Sequence, residues 1–275
     1  MADNTSEKEE RGVLERLVPI LLVASIALAF VVGVLWQKVS NLESGNVAGT
    51  ETESEATVET QQADNPTITI DQIKSLFSQN LIKFGNENSK VLFVEIMDPS
   101  CPYCHIASGK NAELNAEAGD KFKLESDGGT YVAPVAEMRK LVDSGEASFV
   151  YLYQNGHNAG EMAQKALYCS YDMGKFWEVH DLLMSNKGYN LINNTIKNDK
   201  GKSQELVDFL VSVVDSNELK DCIDSGKYDG RLTSDMQLAA SLGVNGTPGF
   251  FINEVNFAGA YSWTDMKTVV DQYLQ

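Results

Sequence analysis

The sequence predicts an α/β fold built around a pair of closely spaced thiols. Three observations predict it. The apolar run Val91-Leu92-Phe93-Val94-Glu95-Ile96-Met97 leads directly into Cys101-Pro102-Tyr103-Cys104, strands and helices alternate on both sides of that motif, and one long helical stretch precedes the last two strands.

The chain has 275 residues, 43% of them hydrophobic, enough for a real core in one large domain or two small ones. Its formal net charge of −17 argues against nucleic-acid partners and against attraction to anionic headgroups. Four cysteines are too few for a disulfide-stapled miniature.

Residues 1–16 are polar and carry Lys8, Arg11 and Arg16 among acids. Residues 17–36, from Leu17 to Trp36, hold no charge. At ~1.5 Å per residue a helix of that length crosses a ~30 Å hydrocarbon core. A signal peptide is the rival reading, but its apolar region typically runs only ~7–15 residues, and here Ala27-Leu28-Ala29 lies inside the apolar run. An uncleaved single-pass anchor is therefore expected, with Trp36 at the interface. Three basic residues precede it and Lys38 follows, which places the N-terminus in the cytoplasm and the bulk of the chain outside.

Residues 37–66 are rich in Ser, Thr, Glu, Gln and Asn, with Glu43, Glu51, Glu53, Glu55, Glu59 and Asp64 against Lys38 alone. Such a segment buries too little apolar surface to offset its chain entropy. It reads as a disordered acidic linker.

A globular pattern begins at residue 67 and runs to 275. Thr67-Ile68-Thr69-Ile70 reads as a short strand, and Asp71 as the cap of a helix carrying Ile73, Leu76 and Phe77. The strand over 91–97 follows, then a helix-compatible stretch from His105 to Ala118 weakened at Ser108-Gly109. Asp127-Gly128-Gly129 marks a turn or inserted loop. A helix over Pro134 to Val142 ends at Ser144-Gly145, and Ser148-Phe149-Val150-Tyr151-Leu152-Tyr153 is a strand by its aromatic and β-branched content. Helices are expected over 159–185 with a break near Gly174, over 206–211, and from Leu219 to Leu242 with punctuation at Gly226 and Gly230. Strands return at 249–253 and 255–258, and a helix from Ser262 to Leu274 closes the chain. The pattern is that of a thioredoxin-like fold with a helical insertion over about 157–243.

Pro102 suits the first helical position, where its missing N–H costs nothing, and this sets Cys101 at the helix N-terminus. There the helix dipole and unpaired amides favour a thiolate, so Cys101 is the candidate attacking sulfur and Cys104 the resolving one. Two other readings of the pair stand beside this one. A zinc site requires a second close pair of ligands, and Cys169 and Cys222 are close neither to each other nor to the motif. An inert structural bridge is the third reading.

Two stretches resemble the signatures of the DsbA-like thiol:disulfide oxidoreductases, and most closely their membrane-anchored bacterial members. They are 94–104, from Val94 through the two cysteines, and Leu242-Gly243-Val244-Asn245-Gly246-Thr247-Pro248-Gly249-Phe250-Phe251-Ile252-Asn253. Gly174-Lys175-Phe176-Trp177-Glu178-Val179-His180-Asp181-Leu182-Leu183 resembles that family's inserted helical domain. The resemblance covers about 67–275. It implies a cis peptide at Thr247-Pro248 beside the cysteines, with the Thr247 backbone binding extended substrate. It also implies exported thiol proteins as substrates, a membrane redox partner that resets the pair, and no cofactor. The sequence departs from the family at Pro102-Tyr103, which differs from the Pro-His of its strongest oxidants and resembles the glutaredoxin dipeptide. Pro99 stands where an aromatic is common. The stretch from about Gly109 to Ala133 is longer than the family's first helix needs, and is expected near the substrate groove.

The implied activity is disulfide donation. A reductase or isomerase uses the same residues in the opposite direction. A tethered binding or chaperone module with incidental thiols is the reading from another class. Glu95 is a candidate buried proton acceptor near Cys104 or an ordinary glutamate. His105 either tunes Cys101 or caps its turn, and His157 and His180 read as structural. Cys169 and Cys222 form a structural disulfide or are buried free thiols. No metal or nucleotide motif is present in the sequence.

Overall fold

The computed structural model describes residues 68–275. The N-terminus 1–16, the expected anchor 17–36 and the linker 37–66 lie outside the described residues. Among the described residues no helix is long and apolar enough to cross a membrane.

The first element differs from the strand expected over 67–70. Ile70 opens helix α1 (Ile70–Phe77), and Thr69 is its N-cap. The Gln72 amide donates to Thr69 Oγ1 while the Thr69 amide donates to Gln72 Oε1. This capping box satisfies two donors that the helix would otherwise leave orphaned. Asp71, expected as the cap, sits inside the first turn instead. The Thr-Ile alternation mimics a strand, but the local hydrogen bonds favour the helix.

Strand β1 (Ile82–Phe84) has only three residues, too few for a readable alternation, and adds to the expected elements. Strand β2 (Val91–Met97) is followed by helices α2 (Pro102–Ser108) and α3 (Ala112–Glu117). The expected single helix over 105–118 is therefore two, because Gly109 at φ 69° ends α2 in the left-handed region that glycine adopts at little cost. Helix α4 (Pro134–Asp143) and strand β3 (Ala147–Tyr153) come next.

The helical block comprises α5 (Glu161–Asp172), α6 (Phe176–Leu183), α7 (Asn186–Asn190), a π-helical turn over Leu191–Ile196, α8 (Ser203–Leu210), α9 (Ser216–Asp224) and α10 (Asp229–Ser241). Gly226 lies in the turn between α9 and α10, whereas Gly230, expected as a break, lies inside α10. Cys169 on α5 and Cys222 on α9 form a disulfide across 53 residues of sequence. Strands β4 (Gly249–Ile252) and β5 (Val255–Ala258) and helix α11 (Trp263–Leu274) complete the chain.

The five strands form one sheet in the order β1-β3-β2-β4-β5. Strands β2 and β3 run parallel and every other pairing is antiparallel. All seven residues of β2 and of β3 are buried because helices cover both faces, which is why both read as continuous apolar runs. The period-two alternation of the strands divides the core. Phe93, Met97, Phe149, Tyr151 and Phe250 pack with α4, α11 and the helical block, while Leu92, Val94, Ile96, Val150 and Phe251 pack with Ile73 and Leu76 of α1 and Ala239 of α10. Glu95 occupies the central strand, paired with Tyr151 on one side and Phe250 on the other. This is the thioredoxin-like α/β fold with an inserted helical region between β3 and β4.

Candidate active site

The end of β2 delivers Asp98 to Ser100 into a tight turn in which the Cys101 amide donates to the Asp98 carbonyl, 2.9 Å away. Cys101 is then the N-cap of α2, with extended backbone (φ −76°, ψ 124°), and Pro102 is the first helical residue. Both thiols are free and buried. The Thr247-Pro248 peptide is cis, and the Cys101 thiol donates to the Thr247 carbonyl at 3.3 Å.

The two thiols sit in opposite electrostatic environments. A hydrogen bond from Cys104 lowers Cys101 to about 6 against the opposing effect of burial, with Thr247, the Cys104 backbone and the charge of His157 adding to the lowering. Burial pushes Cys104 well above the ordinary thiol value, and Cys101 and Glu95 push it further in the same direction. One sulfur is therefore a ready thiolate at neutral pH and the other holds its proton.

Glu95 is fully buried, neither carboxyl oxygen has a hydrogen-bond partner, and desolvation raises it to about 8. A carboxyl in that range exchanges a proton near physiological pH. Its influence on Cys104 places it within electrostatic reach of the resolving sulfur.

His105 lies between the turn that precedes Cys101 and the segment after α6. Its ring nitrogens face the carbonyls of Met184 (Nδ1, 2.9 Å) and Pro99 (Nε2, 2.8 Å), and its ring meets Tyr189 edge-on at 4.8 Å. An imidazolium satisfies both carbonyls and a neutral ring only one, yet burial pushes the group down to about 4. It ties the motif to the segment after α6. His180 hydrogen-bonds Asp181 at 3.1 Å, away from the cysteines. Cys169 and Cys222 lie within the helical block and do not join the site.

Tyr103 is half-exposed and packs edge-on against Phe122 at 5.7 Å. The stretch between Gly109 and Ala133 folds into α3, two short 3-10 turns and a bridge between Leu124 and Tyr131. It brings Lys121 and Phe122 to a cavity of about 370 Å³ shared with Tyr103, Thr247 and Tyr261.

Sequence reasoning gave no role to Asp98 or to the loop after β3. Asp98 is fully buried and its carboxyl receives four donors. Ser100 supplies its amide (2.8 Å) and Oγ (2.7 Å), and the amides of Gly156 and His157 supply one each at 2.8 Å. A Cβ on Gly156 would lie 2.3 Å from Thr247 Oγ1, so this loop runs hard against the cis peptide. The only trace in the sequence is an acid directly before the cysteine turn, since the Gly156 and His157 amides lie more than fifty residues away.

Residues 135–272, half of the chain, match the family described as Thioredoxin. The chain belongs to that thioredoxin family. The match begins beyond Cys104, so the placement of the dithiol rests on the geometry above. Among curated relatives, a Rickettsia felis protein provisionally named a protein-disulfide oxidoreductase is 23% identical over 228 residues, covering 82% of this chain and 71% of its own length. A Salinispora tropica protein named Na(+)/H(+) antiporter NhaA 3 is 24% identical over 190 residues, covering 68% of this chain. The chain spans about a quarter (24%) of the length of that relative. Among solved structures, oxidised BdbD from Bacillus subtilis superposes with a TM-score of 0.52 at 17% identity, covering 70% of this chain and 92% of that one. Wolbachia pipientis alpha-DsbA1 gives 0.53 at 17% identity, with 71% and 91% covered. At these identities the superpositions establish a shared thioredoxin-like fold with its helical insertion.

Proposed function

We propose that this thioredoxin-family protein is a DsbA-like thiol:disulfide oxidoreductase that introduces disulfides into exported proteins through Cys101 and Cys104. The observation that carries this reading is the opposed tuning of the two thiols beside the Thr247 carbonyl. The name of the Rickettsia relative agrees with it.

In the oxidised enzyme a substrate thiolate attacks Cys101 Sγ, the Cys101–Cys104 bond breaks, and Cys104 departs and takes up a proton. Its raised pKa favours that protonation, with Glu95 as the adjacent proton reservoir. A second substrate thiolate then attacks the substrate sulfur of the mixed disulfide, and Cys101 leaves as a thiolate. Two electrons pass from the substrate dithiol to the enzyme pair. A leaving group lowered to about 6 departs readily, and its stability as a thiolate makes the oxidised enzyme the stronger oxidant. Pro102 opens the helix behind Cys101, Tyr103 faces the groove, and the Thr247-Pro248 edge receives extended substrate.

The cell-surface placement belongs to the same proposal. Residues 17–36 anchor the chain in the membrane as a single span, the N-terminus stays cytoplasmic, and the linker 37–66 tethers the domain outside, where a membrane redox partner re-oxidises it. The Cys169–Cys222 bond supports this reading, because such bonds persist in oxidising compartments. Reporter fusions after residue 66 test the topology, with export of the reporter expected.

The decisive experiment measures the Cys101–Cys104 potential against glutathione, with insulin reduction and oxidation of a reduced substrate run side by side. A potential well above the roughly −270 mV of thioredoxin, with substrate oxidation the faster activity, is expected. A potential at or below that value with brisk insulin reduction reverses the direction to that of a reductase.

A further inference from the structure

We infer that Asp98 is a positioning residue that holds Cys101 with its backbone and the loop over 154–160 with its carboxyl, so that His157 becomes the electrostatic partner of the Cys101 thiolate. The inference rests on the proposed function only in taking Cys101 as the reactive thiol.

The geometry runs through one residue. The Asp98 carbonyl accepts from the Cys101 amide at 2.9 Å, while Asp98 Oδ2 accepts from the Gly156 and His157 amides at 2.8 Å each. Oδ1 is occupied by Ser100, whose Oγ also receives the Ala159 amide at 3.4 Å. The loop enters with the Gln154 amide donating to the Met97 carbonyl at 3.0 Å. It turns through Asn158 at φ 61°, whose amide donates to Asn155 Oδ1. At its far end a Cβ on Gly160 would fall 1.9 Å from Asp98 Oδ1. A Cβ at either end of the contact, at Gly156 against Thr247 or at Gly160 against Asp98, would have to displace the side chain it meets. A loop held at this many points stays fixed to the turn that carries Cys101.

His157 is exposed at the crest of this loop, one residue from the contact with Thr247, whose carbonyl receives the Cys101 thiol. Cys101 registers its charge in the direction that favours the thiolate. The dipeptide between the cysteines, Pro102-Tyr103, contains no cation, so the positive charge reaches Cys101 from across the groove. The other charged and titratable groups at the site are Cys104 on the same helical turn, Glu95, which acts on Cys104, the Asp98 carboxylate, Tyr189 on α7, which is raised by burial and then by Cys101, and Lys121, which lines the cavity with Tyr103 and Thr247. Of these only Lys121 is a cation, and its ammonium lies over the Phe122 ring.

The test is a pH titration of the Cys101 thiolate by its ultraviolet absorbance in the reduced full-length protein, which needs no substrate. His157→Gln should move the Cys101 midpoint upward by about half a pH unit, the size expected of one solvent-screened charge. His157→Lys should restore or lower the midpoint. Asp98→Asn leaves one face of the side chain without an acceptor and also removes a negative charge, which by itself lowers the midpoint, so its effect should be more upward in the wild-type background than in the His157→Gln background. High salt should shrink the difference between the wild type and His157→Gln. An unchanged midpoint in His157→Gln overturns the inference. So does a full Asp98→Asn shift persisting in the His157→Gln background. If Asp98→Asn fails to fold, the two substitutions at exposed His157 decide alone. A protein that shows these shifts yet exchanges no disulfides refutes the proposed function and leaves this inference standing.

Discussion

Cys101 Sγ lies 3.3 Å from the carbonyl oxygen of Thr247, a residue 146 positions later in the chain. The contact brings Cys101 to the backbone edge at which, under the proposed function, an extended substrate peptide would pair.

Alkylation should separate the two cysteines by pH. With Cys101 lowered from 9.0 to about 6 and Cys104 raised above 9.0, iodoacetamide should modify Cys101 with a midpoint near pH 6 and spare Cys104 until the protein is unfolded. The linkage has a definite sign. A depressed thiol stabilises the folded reduced form above pH 9, and that stabilisation fades as pH falls through 6. Mass spectrometry of the labelled peptides checks the prediction, and equal labelling of both sulfurs at pH 7 contradicts it.

Glu95 should make the reduced protein less stable as pH rises. Its folded value is raised from 4.5 to about 8, so its contribution is fully present below 4.5 and is lost as pH rises through 8. Glu95→Gln removes this dependence. The substitution should be stabilising at pH 8 relative to its effect at pH 5, by on the order of a few kcal/mol, because the carboxyl is fully buried and unpaired. Urea unfolding of the reduced forms at the two pH values measures the difference. The same variant should slow protonation of Cys104 and with it the formation of mixed disulfides.

Most of the frame was legible in the sequence because it is written in local pattern. The runs over 91–97 and 148–153 are long enough to declare buried strands, Pro102 declares a helix start, and Gly109, Gly174 and Gly226 mark breaks that the backbone takes at positive φ. The strand misread at 67–70 shows the limit of alternation over four residues, where the T-x-x-Q spacing of Thr69 and Gln72 was the stronger signal. Long-range geometry was not legible. Nothing near His105 indicates that both its nitrogens turn toward Pro99 and Met184. Nothing near Asp98 indicates that the amides it holds belong to Gly156 and His157. Such contacts exist only once β2 and β3 lie side by side.

Gly160→Ala should be costly for a packing reason alone. The added Cβ would fall 1.9 Å from Asp98 Oδ1, and that side chain cannot rotate away without releasing four hydrogen bonds. A loss of about 1–3 kcal/mol is expected, seen as a lower urea midpoint with an unchanged slope. Alanine at Gly230, which meets nothing within 4 Å and, like Gly160 at φ −90°, is not in the left-handed region, controls for the loss of the glycine itself. Comparable losses at the two sites would remove the Asp98 contact as the cause.

The Cys169–Cys222 bond should stabilise the helical block independently of the active site. It joins α5 to α9 across 53 residues, and closing a loop of that length in the unfolded chain is worth about 4 kcal/mol in the chain-entropy account, with ~2–4 kcal/mol typical. Cys169 is fully buried among the packed faces of the block. The paired substitution Cys169→Ala, Cys222→Ala therefore loses a little packing as well as the cross-link. The double variant should unfold at lower urea by that amount. Its Cys101 alkylation midpoint should stay where it was, since neither sulfur approaches the dithiol. Two observations made together check this: the urea midpoint, and the mass increment on alkylation in denaturant without reductant, which in the wild type should include no thiols beyond those of the active site. Modification of all four cysteines under those conditions would show that the bond does not form, and a shifted Cys101 midpoint in the variant would show that the block and the site are coupled.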